Sequence, residues 1–350
     1  VIQRPFTVVL IVPTGIGAAI GGYAGDVLPV ARAIAQISDR VITHPNVLNG
    51  AQLYWSLPNL YYVEGYALDQ FAAGHWGLRP VHQNRIGLIL DQSIEPDLQL
   101  RHLQAAEAVK TTLGVNVGTY MVTDAPLNVQ LRTAHSGASW GTIGHPDSLL
   151  RAAETLIEKG KVSAIAVVAR FPDDMEADAL ANYRQGNGVD ALAGAEAIIS
   201  HLIVREFKIP CAHAPALSPL PPDSKVSPCA AAEELGYTFL PCVLVGLARA
   251  PQLVNPPHLP SDITADAVDA VVMPADAAGG SAILSLSQLS VPIIAVDDNH
   301  TTMEVPPESL GMKTIRVQSY LEALGVLVAQ RSGINPDALR RPVSFLSRLN

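Results

Sequence analysis

Residues 8–26 read VVLIVPTGIGAAIGGYAGD. The run opens with β-branched residues, meets Pro13, and then places five glycines in the eleven positions 15–25. An apolar run of this kind is the pattern of a strand buried on both faces. The glycines that follow mark a tight strand-to-helix crossover whose backbone approaches something closely. Because main-chain N–H groups at such a turn attract anions, a small anionic molecule is the expected neighbour, with Thr14, Gly15 and Gly17 as its contacts.

The same texture recurs along the chain. Apolar runs at 7–12, 41–44, 60–63, 86–91, 116–122, 162–169, 239–246, 268–273 and 292–296 predict strands. Helices are predicted between them at about 21–37, 98–113, 146–159, 190–206, 279–289 and 318–331. Alternation of this sort defines an α/β class: mostly parallel sheets with helices on both faces, Rossmann-like. Gly114 is the expected C-cap of one helix and Asp147 the expected N-cap of the next. Residues 209–229, IPCAHAPALSPLPPDSKVSPC, hold six prolines. They are read either as a linker between lobes 1–208 and 230–350 or as a loop of the site.

With 49% hydrophobic and 16% charged residues over 350 positions, the composition excludes a disordered or coiled-coil chain. The net charge of −9 is dispersed and the basic residues form no stripe, so no nucleic acid partner is expected. Residues 6–25 carry no charge, but Pro13 and the glycines interrupt them, so neither a membrane span nor a signal segment is expected. Cys211, Cys229 and Cys242 form no CxxC pair, which points to a reducing compartment and a cytoplasmic location.

Ligands of parallel sheets bind beyond the carboxyl ends of the strands, so the polar residues that follow each run are the candidates. Asp26 follows the glycine turn. The turn reads GxGxxxG instead of GxGxxG, and Asp39 precedes strand two instead of ending it, so a nicotinamide dinucleotide is not expected. His44, Asn46 and Asn49 follow the second run, Glu64 ends the third and Asp91 the fourth. Asp124 ends the fifth, and Arg170, a cation able to balance ligand charge, ends the sixth. Residues 136–148, SGASWGTIGHPDS, have the small residues and hydroxyls of a second anion cradle but neither a P-loop lysine nor a GxSxG elbow. Cys211 and His213 are two residues apart and admit a thiolate nucleophile, a metal or a plain loop. Near the end, Gly279 and Gly280 open a helix, and Asp297, Asp298, Asn299, His300 and Thr301 form the densest polar run after a strand.

Five stretches, VPTGIGAAIGGYAGD (12–26), THPNVLNGAQLYW (43–55), VEGYALDQFAAGHWGL (63–78), PCAHAPAL (210–217) and the segment 271–303, resemble an uncharacterised family of cyanobacteria and plastid-bearing organisms. The resemblance covers nearly the whole chain. It implies a cytosolic or stromal protein and transfers no activity. Residues 268–320 are in addition similar in pattern to the carboxy-terminal domain of pyruvate kinase, an analogy of fold only.

The favoured reading is an enzyme, a transferase or hydrolase, acting on a small anionic metabolite. In it His44 or His300 is the acid/base, Asp26, Glu64, Asp91 and Asp297 are the carboxylates, and Asn46, Asn49, Arg170, Gly279, Gly280, Asn299 and Thr301 are ligand contacts. A non-catalytic sensor or assembly factor is the alternative. A hydrolase using a divalent metal on His44, His213 and His300 is the third, and a homo-oligomer is left open.

Overall fold

The computed structural model describes residues 4–48, 57–173, 177–342 and 345–346. Its first sheet is built from both ends of the chain. Strands β1 (Thr7–Leu10), β2 (Arg40–Thr43) and β3 (Leu60–Tyr62) run parallel to β12 (Ala270–Pro274), β13 (Ile293–Val296) and β14 (Ile315–Val317). The order is β14-β13-β12-β1-β2-β3. Strands therefore step outwards in opposite directions from the β1–β12 pair, and the topological switch point falls between those two strands.

The second sheet comes from the middle of the chain: β5 (Ile86–Leu90), β6 (Val117–Val122), β9 (Ala164–Arg170) and β10 (Cys211–Ala216), all parallel, in the order β10-β9-β5-β6. Two antiparallel ribbons complete the strands, β4 (Gly77–Arg79) with β11 (Gln252–Val254) and β7 (Val129–Thr133) with β8 (Ser139–Ile143). The expected lobes 1–208 and 230–350 do not follow these sheets. The proline-rich stretch begins as β10, and 268–320 forms no sheet of its own but completes the first.

The helices are α1 (Leu28–Gln36), α2 (Pro45–Leu48), α3 (Gly65–Ala72), α4 (Pro96–Leu113), α5 (Pro146–Glu158), α6 (Ala177–Arg184), α7 (Ala193–Phe207), α8 (Phe239–Ala248), α9 (Ser281–Ser287) and α10 (Tyr320–Arg331). Side chains alternate across a strand, so each sheet feeds two cores. Val8, Leu10 and Val272 pack with Ala31 and Ile34 of α1 and Leu327 of α10 on the outer face of sheet one. Val9, Ile42 and Met273 on its other face join Phe71 of α3, Ile199 of α7 and Leu149 of α5, and this core continues to Ile89 and Val167 of sheet two. On the far side, Leu88, Val168 and Ala214 pack with Val109 of α4 and Leu244 of α8. A layer of helices is thus shared between the two sheets.

Three local expectations are corrected. Residues 239–246 form helix α8, not a strand: an apolar run without period reads the same in a buried helix and a buried strand. His145, not Asp147, is the N-cap residue of α5, and Asp147 pairs with Arg151 one turn on. The middle of the supposed second anion cradle is strand β8, and its end opens α5. Gly114 does cap α4, with φ 68°.

Candidate active site

Beyond the carboxyl ends of β1, β2, β3, β9 and β10 lies a cavity of about 770 Å³, bounded by Thr14, His44, Glu64, Pro172 and Leu217 from the segments following those strands and walled by β7, α6 and α7. Strands of both sheets point their carboxyl ends at it, as the parallel topology requires of a ligand site.

Helix α7 supplies the reactive wall. Glu196 and Ser200 are one turn apart and so share a face. Ser200 Oγ lies 3.1 Å from His213 Nδ1 on β10 and 3.5 Å from Glu64 Oε1 at the start of α3. His213 Nε2 lies 3.9 Å from Glu196 Oε2. Glu64 is fixed from its other side, its Oε2 accepting from the backbone N–H groups of Tyr66 (2.8 Å) and Ala67 (3.2 Å) as the N-cap of α3. Its Oε1 pairs with His201 Nδ1. The result is one contiguous series: His201, Glu64, Ser200, His213, Glu196.

The environment sets these groups apart. Burial, aided by the nearby His201, pulls His213 down to about 3, so it stays neutral. Burial disfavours the His201 imidazolium as well, but the Glu64 carboxylate outweighs this and raises its pKa. Burial pushes Glu196 well above the ordinary carboxylate range, and the charges of Asp190 and Glu233 push it further.

A second wall closes the cavity from the glycine-rich stretch. The Tyr23 and Tyr183 rings stack with centroids 4.6 Å apart. The Tyr183 hydroxyl donates to Glu233 Oε1 at 2.8 Å, and the Ala24 N–H donates to the same oxygen at 2.7 Å. Burial, with Asp190 close by, lifts Glu233 to about 8.

Of the residues predicted from sequence, Thr14, His44, Asn46, Glu64 and His213 line this cavity. Asn49 lies outside the described residues. His44 is buried and neutral, its pKa lowered to about 4, and its Nε2 accepts the Val12 N–H at 3.0 Å. Asn46 donates to the carbonyls of Val12 and Gly21, so both residues brace the glycine-rich stretch.

The other predicted residues serve elsewhere. Gly15 and Gly17 face protein, not ligand: a Cβ on Gly15 would lie 2.6 Å from Ser139 Oγ, and one on Gly17 3.0 Å from Val189. The polar run after β13 lies against that same backbone. Asn299 Oδ1 accepts from the Ile20 N–H, the His300 carbonyl accepts from the Ala19 N–H, and Thr302 donates to the Ile16 carbonyl. What the glycines make room for is therefore other loops of the chain. His300 is exposed and lies outside the cavity lining. Thr301 bonds Asp276, Asp297 pairs with Arg316, Gly279 packs near Met303 and Gly280 is the N-cap of α9. Asp26 accepts from the Gly21 N–H at 2.6 Å, and burial raises it to about 6. Asp91 is fully buried and accepts from the N–H groups of Ser93, Leu127 and Arg170, a structural clasp. Arg170 is held by Glu95 and Asp173 outside the cavity. Cys211 is buried, and burial pushes its thiol pKa far up, which removes it as a thiolate nucleophile. Among the described residues no three His, Cys, Asp or Glu side chains are arranged to hold a metal ion, so His44, His213 and His300 do not form a ligand set.

Glu196, Ser200, Asp190, Tyr183 and Glu233 escaped the sequence analysis. Each lies within or before a helix, away from the strand ends where ligand contacts are expected. A signal existed for the first two: in GAEAIISHLIV the polar residues Glu196, Ser200 and His201 cluster on an otherwise apolar helix.

Fold and cavity together define a parallel α/β protein with an acid- and histidine-lined pocket. Over residues 7–340 the chain matches the family described as protein of unknown function (DUF3326), and it belongs to that family. A relative 60% identical over 348 residues, spanning 99% of this chain and 97% of its own length, is described as an uncharacterised lipoprotein of Synechococcus sp.. That description overturns the expected cytosolic or stromal location, which rested on cysteine usage and family resemblance. No helix among the described residues is long and apolar enough to cross a membrane.

Proposed function

We propose that this protein is an enzyme that transfers or hydrolyses a group on a small molecule held in the cavity, using Glu196 as general acid and Ser200 with His213 as the proton-accepting arm. The observation that carries this reading is the series Glu64, Ser200, His213 along one wall, with Glu196 3.9 Å beyond His213. A carboxyl whose pKa burial raises is suited to give a proton near neutral pH, and the neutral His213 accepts one transiently, its basicity rising as Glu196 ionises beside it. Once Glu196 has given its proton to the leaving group, His213 can take a proton on Nδ1 from Ser200, or from water in its place, and pass one from Nε2 to the Glu196 carboxylate so formed. The 3.9 Å gap between His213 and Glu196 is longer than a hydrogen bond, and an adjustment of about 1 Å on ligand binding closes it.

The test is untargeted. The purified chain is incubated with a metabolite extract of Synechococcus cells, and the products are followed by mass spectrometry beside Glu196→Gln and His213→Ala. At least one compound should be consumed by the wild type and consumed about 100-fold more slowly by either variant. A change that all three proteins produce alike, or no change in any, would overturn the catalytic reading.

A further inference from the structure

The cavity has a strong charge preference that bears on what it holds. Of the two described arginines on the lining, Arg184 is neutralised by a carboxylate and Arg132 is exposed. Arg184 makes two bonds to Glu234, at 2.9 and 2.8 Å, and a third to the Pro221 carbonyl. Arg132 is exposed and turns to Gln130, His201 pairs with Glu64, and His44 and His213 are uncharged. Against them stand Asp190 on the approach to α7, Glu196 on α7 and Glu233 on the 3-10 turn Glu233–Thr238, all on the lining. The charges acting on Glu196 are those of Asp190 and Glu233, and those acting on Glu233 are Asp190 and Asp26, with no cation opposing them. The remaining lining is largely apolar, including Leu180, Val189, Leu192, Leu217, Phe239 and Val243. A volume of about 770 Å³ is ample for a small organic ligand.

We propose that the ligand is an organic cation: a primary or secondary ammonium on an apolar body, seated with its charge among Glu196, Asp190 and Glu233 and its body against the leucine, valine and phenylalanine wall. This rests on the same cavity as the catalytic reading and names its substrate class. It replaces the anion expected from the glycine turn, whose backbone is engaged by the loops of the protein. An ammonium carries N–H donors for acceptor-only carboxylates and relieves their mutual repulsion, which an anion would worsen.

The cation pairs with an ionised carboxyl, and burial opposes that ionisation at Glu233, so binding is coupled to pH; Glu196 keeps its proton and offers its carbonyl oxygen to an N–H of the ammonium. Among the described residues the titratable groups around these carboxyls are Tyr23 and Asp26 on the glycine-rich stretch, His44 after β2, Glu64 before α3, Arg132 on β7, Tyr183 and Arg184 on α6, His201 on α7, His213 on β10, Cys229, and Glu234 beside Glu233. Of the three carboxyls that would hold the cation, Glu233 is lifted to about 8, while Asp26 at about 6 and His201, raised by Glu64, also change charge nearby. For one such carboxyl the fraction competent to bind rises about 50-fold between pH 6 and pH 8. Simple amines titrate near 10 and stay charged throughout.

The experiment is calorimetric titration of the full chain at pH 6, 7 and 8 with 2-phenylethylamine and 1,6-diaminohexane, and with phenylacetate and inorganic phosphate as anionic counterparts. The amines should bind, tightening on the order of 50-fold from pH 6 to pH 8 and releasing a proton, read from two buffers of different ionisation heat. Glu233→Gln and Asp190→Asn should each weaken the amine at least tenfold. Binding of phosphate or phenylacetate without the amines, or amine affinity that does not move with pH, would overturn the assignment; neither result depends on a variant folding. Amine binding with no turnover in the extract assay leaves the ligand class standing and removes the catalysis, whereas Glu196-dependent turnover of an anion does the reverse.

Discussion

Asn299 shows how much of this architecture hangs on single polar side chains. It is fully buried, accepts from the Ile20 N–H and donates to the Ile20 carbonyl and the Tyr320 hydroxyl, each at 2.8 Å. One amide thereby joins the glycine-rich stretch after β1 to the loop after β13 and to α10. An amide fits because the site needs one acceptor and two donors, a set that neither a carboxylate nor a hydroxyl offers. Asn299→Ala leaves those partners buried and unpaired, and the expected loss is about 2–4 kcal/mol of stability. Asn299→Asp should cost at least as much, since it sets a carboxylate oxygen against the Ile20 carbonyl. Urea unfolding of both variants checks this; a midpoint unchanged in the alanine variant would mean the clasp contributes nothing. The sequence marked Asn299 as a ligand contact because it follows a buried strand, and its partner turned out to be the protein itself.

Helix α7 is the element on which the site depends, and its seat is set by glycine. A Cβ on Gly194 would lie 2.2 Å from the Ser139 carbonyl and 2.4 Å from Trp140 Cα, and one on Gly141 would lie 2.4 Å from Ala195 Cβ, so helix and hairpin approach backbone to backbone. Gly194→Ala must push α7 off β8, two residues before Glu196, at a cost of about 1–3 kcal/mol. Gly118→Ala on β6, where nothing lies within 4 Å, is the matched control and should be neutral or slightly stabilising. Thermal unfolding of the pair decides it, and equal midpoints would show that the close approach is not a constraint. The burial pattern explains why most elements were legible in the sequence while this contact was not. The strands TVVL, IGLIL and AVVMP are buried at every position and read as short apolar runs. Helix α8 failed the same reading because FLPCVLVGLA is apolar on all sides. Of the site, Thr14, His44, Asn46, Glu64 and His213 were legible because each lies on or just beyond a strand of a sheet. Glu196 and Ser200 meet His213 only because α7 crosses β10, a juxtaposition of sheet order that periodicity along the chain does not encode.

At the scale of the whole molecule the buried carboxyls and histidines make stability depend on pH in two opposed ways. Burial lifts Asp26 to about 6 and Glu233 to about 8, and raises Asp190 and Glu196 as well. Between the ordinary carboxylate value of about 4.3 and these raised values, the unfolded chain has lost protons that the folded chain keeps, so stability falls as pH rises towards 8. Burial lowers His44 to about 4 and His213 to about 3. Below about 6.5 the unfolded chain takes up protons that these folded imidazoles refuse, so stability also falls as pH drops from there. Glu233→Gln isolates the alkaline limb. The amide oxygen can still accept from Ala24 and Tyr183 but has no proton to lose. Its melting temperature should match the wild type near pH 5 and exceed it by about 5 °C at pH 8.5. Identical slopes for the two proteins would remove Glu233 from the titration. The same measurement with saturating 2-phenylethylamine should flatten the wild-type decline, because a bound cation stabilises the ionised carboxyl that otherwise opposes folding.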